Sequence, residues 1–114
     1  MKILYSSKNL TTKERYDLVR NPTTEKMSDH VGETISVDKF MVREEERGDT
    51  AEIVRIVSIQ SGDTFLATNS AVFCKEFTAI LEMCEESGEE LHHIEITTGH
   101  SKKGREFITC TYID

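Results

Sequence analysis

The chain has no tryptophan, one proline and six glycines, and aromatic residues fill only 7% of its 114 positions. So few breakers leave little room for linkers, and the length suits one domain around a single hydrophobic core. No apolar run approaches the roughly 18 residues that a membrane helix needs. The opening stretch, MKILYSSKNL, holds an apolar segment too short for a signal peptide. Together these absences predict a soluble, cytoplasmic protein with no membrane contact. Cysteine is scarce as well. Cys74, Cys84 and Cys110 are odd in number and form no CxxC pair, which argues against both a disulfide framework and a zinc knuckle. Buried free thiols are the expectation.

Net positive charge is also missing. The formal charge is −7 and the pI near 5.1, a balance that by itself disfavours nucleic acid. The distribution is less uniform than the sum. Residues 2–26 carry six Lys/Arg against Glu14, Asp17 and Glu25, a local excess of +3. Residues 99–105 hold Lys102, Lys103 and Arg105 with no acid, again +3. Residues 43–52 net −3, and residues 82–90, with five Glu and no base, net −5. Solvated Glu-rich loops account for the acidic runs, yet the segregation allows a basic face on an acidic molecule.

Local patterns give an element order. Thr11-Thr-Lys-Glu14 has capping-box spacing, which predicts a helix from Thr12 to about Arg20. Asn21-Pro22 offers a cap and first-turn proline for a second short helical piece toward Ser28; an arm lying on the body is the alternative for residues 1–30. From Val31 the pattern turns to strands. Thr34-Ile-Ser-Val-Asp alternates and Lys39-Phe-Met-Val-Arg43 continues after a break that suggests a bulge. Glu44 to Asp49 reads as a polar turn, Ala51 to Gln60 as a buried second strand, and Ser61-Gly-Asp63 as the tight turn of a hairpin into Thr64–Thr68. Asn69 or Ser70 caps a helix whose Phe73, Phe77, Ile80, Leu81 and Cys84 recur at helical spacing, with Val72, Ala79 and Met83 widening the stripe and Gly88 stopping it. His92 to Thr98 and Phe107 to Ile113 complete the strands.

Three strands, one helix and two strands predict a mainly β, α+β chain: a five-stranded OB-fold-like barrel with its helix between strands three and four. The expected division is a helical segment or arm over residues 1–30 and the barrel over residues 31–114. On this plan GHSKKGR, residues 99–105, is the turn between strands four and five, beside the binding face. Its lysines and arginine would follow phosphates, its glycines would let the backbone bend, and Ser101 and His100 would add polar contacts. A solvated lysine-rich hairpin that only blocks edge pairing is the plainer alternative. Single-strand binding also needs rings for bases to stack on. The candidates are Phe40, Phe65, Phe107, Tyr112, Tyr5 and Tyr16. Tyr16 lies among Lys13, Arg15 and Arg20, and Lys39 adds a further cation, whereas Tyr112 alternates with Ile108 and Cys110 and so belongs in the core.

Other chemistries fit poorly. Gly99-x4-Gly104-Arg105 has the glycine spacing of a P-loop but neither its Lys-Ser/Thr ending nor a helix after it. His92 and His93 are neighbours on a strand and point to opposite faces, so with His100 they make a poor metal set. No base–nucleophile arrangement stands out, which argues against an enzyme and against a cofactor.

The segments ERYDLVRNPTTEKMSDHVG, ATNSAVFCKEFTAIL and GHSKKGREFITCTY together resemble the small single-stranded DNA-binding proteins of tailed phages and mobile elements of Gram-positive bacteria. The likeness runs from about Leu10 onward. The family's Ser-Lys-x-Gly-Arg-x-Phe pattern is matched by Ser101, Lys102, Gly104, Arg105 and Phe107, and Asn69 and Phe73 match its strand-to-helix junction. The resemblance implies an OB-fold binder that coats exposed DNA strands during replication, in the host cytoplasm, alongside replication proteins. Unlike the better-known bacterial binders, this sequence carries no acidic tail after its last strand, so recruitment by such a tail is not expected. The edges of a partly open barrel leave room for a homodimer. A different class is also open: an acidic inhibitor or DNA mimic, with the Glu clusters at residues 44–46 and 82–90 engaging a basic groove on a host nuclease.

Overall fold

The computed structural model describes residues 1–113, which form eight strands and two α-helices. The chain begins with β1 (Lys2–Ser6), α1 (Thr12–Arg20), the two-residue β2 (Glu25–Lys26) and a 3-10 turn at Met27–His30. Then come β3 (Thr34–Ser36), β4 (Lys39–Arg47), β5 (Glu52–Ser61), β6 (Thr64–Thr68), α2 (Ala71–Ser87), β7 (His93–His100) and β8 (Glu106–Ile113). The strands make two sheets, ordered β1-β4-β5-β6-β2 and β3-β7-β8. The expectation of a mainly β chain with helices holds at that level, mostly strands with two helices in two sheets. Among the described residues no ladder joins β6 to β8, so hydrogen bonding does not close the sheets into a barrel.

β3 and β4 are one path bent at Val37-Asp38. β7 pairs along its first part and β1 along its second. The bend is held by side chains. Asp38 Oδ2 accepts the Gly62 N–H at 2.6 Å, and the Ser36 and Ser61 hydroxyls meet at 2.9 Å. These contacts tie the bend to the two-residue β5–β6 turn, where Gly62 takes the positive φ, +58°, that such turns require.

The core lies between the sheets and α2. Ser70 caps α2, its hydroxyl accepting from Phe73 N, and Gly88 ends it at φ +70°. Phe73, Cys74, Phe77, Ile80, Leu81 and Cys84 are buried against Val42, Val57, Ile59 and Leu66 of one sheet and Ile94, Ile96 and Cys110 of the other. Phe77 meets Phe40 edge-on at 5.7 Å and stacks on Phe73 at 6.1 Å. Phe73 and Phe77, fully buried, each contribute about 1.5–3 kcal/mol by burial alone. The α2 stripe is narrower than its periodicity suggests: Val72 and Met83 face solvent, Met83 at 62% exposure.

Residues 1–30 are attached in three places. β1 extends the larger sheet along β4, with a bulge between Ile3 and Tyr5. β2 pairs in parallel with β6, and Met27 is fully buried in the core. α1 packs on β4 and β5, opposite the core. On that side Leu18, Met41, Arg43 and Ser58 form a second buried layer outside the main cluster. Arg43 Nη1 donates to Ser58 Oγ at 2.8 Å and its Nε to Glu45 at 3.3 Å, so the buried cation is partnered. The predicted capping box of α1 is present, with Thr11 Oγ1 accepting from Glu14 N and Glu14 accepting from Thr11 N. The second helical piece expected after Asn21-Pro22 is not formed there. The Asn21 side chain instead accepts from Thr23 N at 2.8 Å, a local turn that competes with helix initiation and leads into β2. Within the 1–30 segment, Lys2–Ser6 form a strand ahead of α1.

His30 links this segment to the body. Its Nδ1 lies 2.9 Å from Glu33 and its Nε2 2.8 Å from Glu25, with the side chain only 18% exposed. The hydrogen bond to Glu33 and then that to Glu25 hold the imidazole pKa above its ordinary value, against the opposing effect of burial.

Candidate nucleic-acid interface

The β7–β8 hairpin is built for its tip. Pairing runs out to His100 opposite Glu106, leaving residues 101–105 as the loop. Gly104 N–H donates to Ser101 O at 2.9 Å, and Gly104 adopts φ +78°. Ser101 N–H donates to Arg105 O at 2.9 Å, and Arg105 N–H to Ser101 Oγ at 3.1 Å. This is a tight turn followed by a left-handed glycine and a bulge. Lys102, Lys103 and Arg105 are exposed, and none forms an ion pair among the described residues. A shallow recess of about 520 Å³ is lined by Ser101, Lys103, Gly104 and Arg105. Three cations on a short, hydrogen-bonded turn, none of them in an ion pair among the described residues, can meet phosphate oxygens without first giving up an intramolecular salt bridge.

Two residues of the loop serve the protein as well. The Ser101 hydroxyl oxygen accepts from the backbone, leaving its proton for a ligand. His100 Nε2 stands 3.7 Å from Glu106, an exposed pair of little energy. The two glycines have different reasons. Gly104 bends the turn, while Gly99 makes room: a Cβ there would sit 2.6 Å from Cε1 of the cross-strand Phe107 ring. Phe107 thereby packs over Gly99 with its ring half-buried.

The remaining candidates lie on the other sheet. Arg15, Tyr16 and Arg20 are exposed on α1, with Tyr16 at 57%. Lys13 Nζ is 6.0 Å from the centre of the Tyr16 ring and 2.9 Å from Asp17. Lys39 is half-buried and bonded to Glu14 at 3.2 Å, so it fastens α1 to β4. Glu14's carboxyl is held below the usual carboxylate range, first by the Thr11 N–H and then by Lys39. The site residues thus fall into two groups, one on α1 over the larger sheet and one at the end of the smaller. Phe40 is in the core contact with Phe77, and the Tyr5 hydroxyl donates to Glu82 at 2.9 Å, which raises the phenol pKa.

Tyr112, expected in the core, is 40% exposed on β8. Pairing sets Tyr112 opposite the buried Ile94, and only Cys110 among its near neighbours on β8 is fully buried. The alternation still sets Tyr112 on the face of Ile94 and Cys110, but its large side chain near the strand's end reaches solvent.

The three thiols are buried and free. Burial pushes Cys110 up to about 12 and raises Cys74 and Cys84, so none is poised as a nucleophile. No group of three metal-ligating side chains lies together among the described residues, and no described helix is long and apolar enough to cross a membrane. Comparison with protein-family models, with curated proteins and with solved structures finds no match to this chain.

Proposed function

We propose that the chain binds single-stranded DNA with little sequence preference, by phosphate contacts and base stacking and without chemistry. The observation that carries this reading is the Ser101–Arg105 tip, three cations in no ion pair among the described residues, on a hydrogen-bonded turn in a protein of net charge −7. The strand order supports it. β3–β4 as one bent strand, β5, β6, α2, β7 and β8 follow the OB sequence of three strands, helix and two strands, and the architecture is read as an OB barrel left open between β6 and β8. α1 lies over β4 and β5, so stacking falls to exposed rings away from that covered face, Tyr16 on the outer side of α1 and Tyr112 on β8. The resemblance to small phage and mobile-element binders points the same way and adds the role of coating DNA during replication.

The test is fluorescence anisotropy with labelled oligo(dT) across a salt series. Binding should weaken steeply with salt and be poor for duplex. Changing Lys102, Lys103 and Arg105 together to Ala should flatten the log–log salt slope by about 2, at roughly 0.7 per cation for single strands. Unchanged affinity in the triple variant removes the tip from the interface. No binding even at low salt overturns the reading and favours the acidic inhibitor.

A further inference from the structure

A groove lies where the long β3–β4 strand bends and exchanges one neighbour for another. It runs between the chain after β1, the Ser36–Asp38 bend, the end of α2 and the start of β7, with a volume of about 1020 Å³. Phe40, Leu81 and Leu91 form its floor. Its rim is acidic: Asp38, Glu85, Glu89 and Glu90 line it, against Lys8 as the one lysine or arginine. Those three glutamates form no ion pair among the described residues.

This charge opposes the fold that carries it. The last turn of α2 contains no basic residue, and five Glu cluster at residues 82–90. A helix C-terminus already bears about half a negative charge from its free carbonyls, and carboxylates there cost stability where lysines would add it. The basic tip sits at the other end of the same layer. Ser70 at the α2 N-terminus donates to Ile108 O, two residues inside the hairpin, whereas the groove meets the first residue of β7. β7 is eight residues long, so the two ends stand roughly 26 Å apart. That is about three screening lengths at physiological salt, and neither pole cancels the other within one molecule.

We infer that the groove receives the basic Ser101–Arg105 tip of a second copy, so that the chain associates head to tail. The tip supplies three cations, and Glu85, Glu89 and Glu90 supply three carboxylates around an apolar floor, none of them in an ion pair among the described residues. Their placement at opposite ends of one layer prevents a molecule from satisfying itself and suits an open series of copies. The inference stands on charge and placement and does not depend on DNA binding.

Sedimentation velocity of the full chain over a concentration series, at low and high salt, tests it. The wild-type sedimentation coefficient should rise with concentration at low salt and lose that rise at high salt. Glu85→Lys/Glu89→Lys makes groove and tip both basic, and Lys102→Glu/Lys103→Glu makes both acidic. Each variant alone should remain a monomer. An equimolar mixture should recover association, because every tip then finds a groove of opposite sign, and that recovery also shows both variants folded. A wild type that stays monomeric at low salt, association that persists in either variant alone, or a mixture that fails to associate would each overturn the inference.

Discussion

Gly99 and His30 illustrate how single residues hold the two sheets in shape. Any side chain at Gly99 would enter the Phe107 ring, with its Cβ 2.6–2.7 Å from two ring carbons. The atoms met are the far end of a half-buried ring that can swing aside, so Gly99→Ala should destabilise the protein by about 1 kcal/mol, the low end for overpacking, and Phe107→Leu in the same chain should return part of the loss; urea unfolding measures both. His30 makes a pH-dependent contribution. Its folded pKa is raised by Glu33 and Glu25, so the protonated form is favoured on folding. That stability is fully present below the unfolded value near 6.5 and is lost as pH rises through the raised folded pKa. Thermal unfolding of wild type and His30→Gln should differ most at about pH 5.5 and converge at about pH 8.5. A constant difference across that range would remove the titration from the contact.

At the scale of elements, α2 carries charge of the wrong sign at its carboxyl end. Glu86→Lys, on an exposed position outside the groove lining, should stabilise the fold by about 0.3–1 kcal/mol, and added salt should shrink the gain. Differential scanning calorimetry at two ionic strengths reads both. The elements also explain what the sequence made legible. α1, β6 and α2 follow from signals contained within each: a reciprocal capping box, a tight glycine turn, and a periodic stripe bounded by Ser70 and Gly88. β1 and β2 have no such signal. KILYS lacks clean alternation because a bulge interrupts its pairing, and two residues at Glu25–Lys26 become a strand only because β6 lies beside them. The site divides the same way. The basic tip was visible as a glycine-bounded charge cluster, but the engagement of Lys39 by Glu14 joins residues 25 apart and depends on where α1 settles. The solvent exposure of Tyr112 likewise depends on where the core ends, which no local pattern records.

For the whole molecule, the proposed function requires a chain of net charge −7 to approach a polyanion. Distance against screening governs that approach. The acidic groove stands roughly 26 Å from the basic tip along β7, while the screening length is about 8 Å at physiological salt and about 30 Å at 0.01 M. Near physiological salt the tip should meet phosphates with little repulsion from the far pole. At 0.01 M that pole comes within range and opposes the approach. Replacing Glu85, Glu86 and Glu89 by Gln should accordingly leave oligo(dT) affinity nearly unchanged at about 0.15 M salt and strengthen it at about 0.01 M. Anisotropy titrations at protein concentrations too low for copies to associate keep the two effects separate. An equal gain at both salts would place the glutamates close to the bound strand and move the interface from the tip toward the groove.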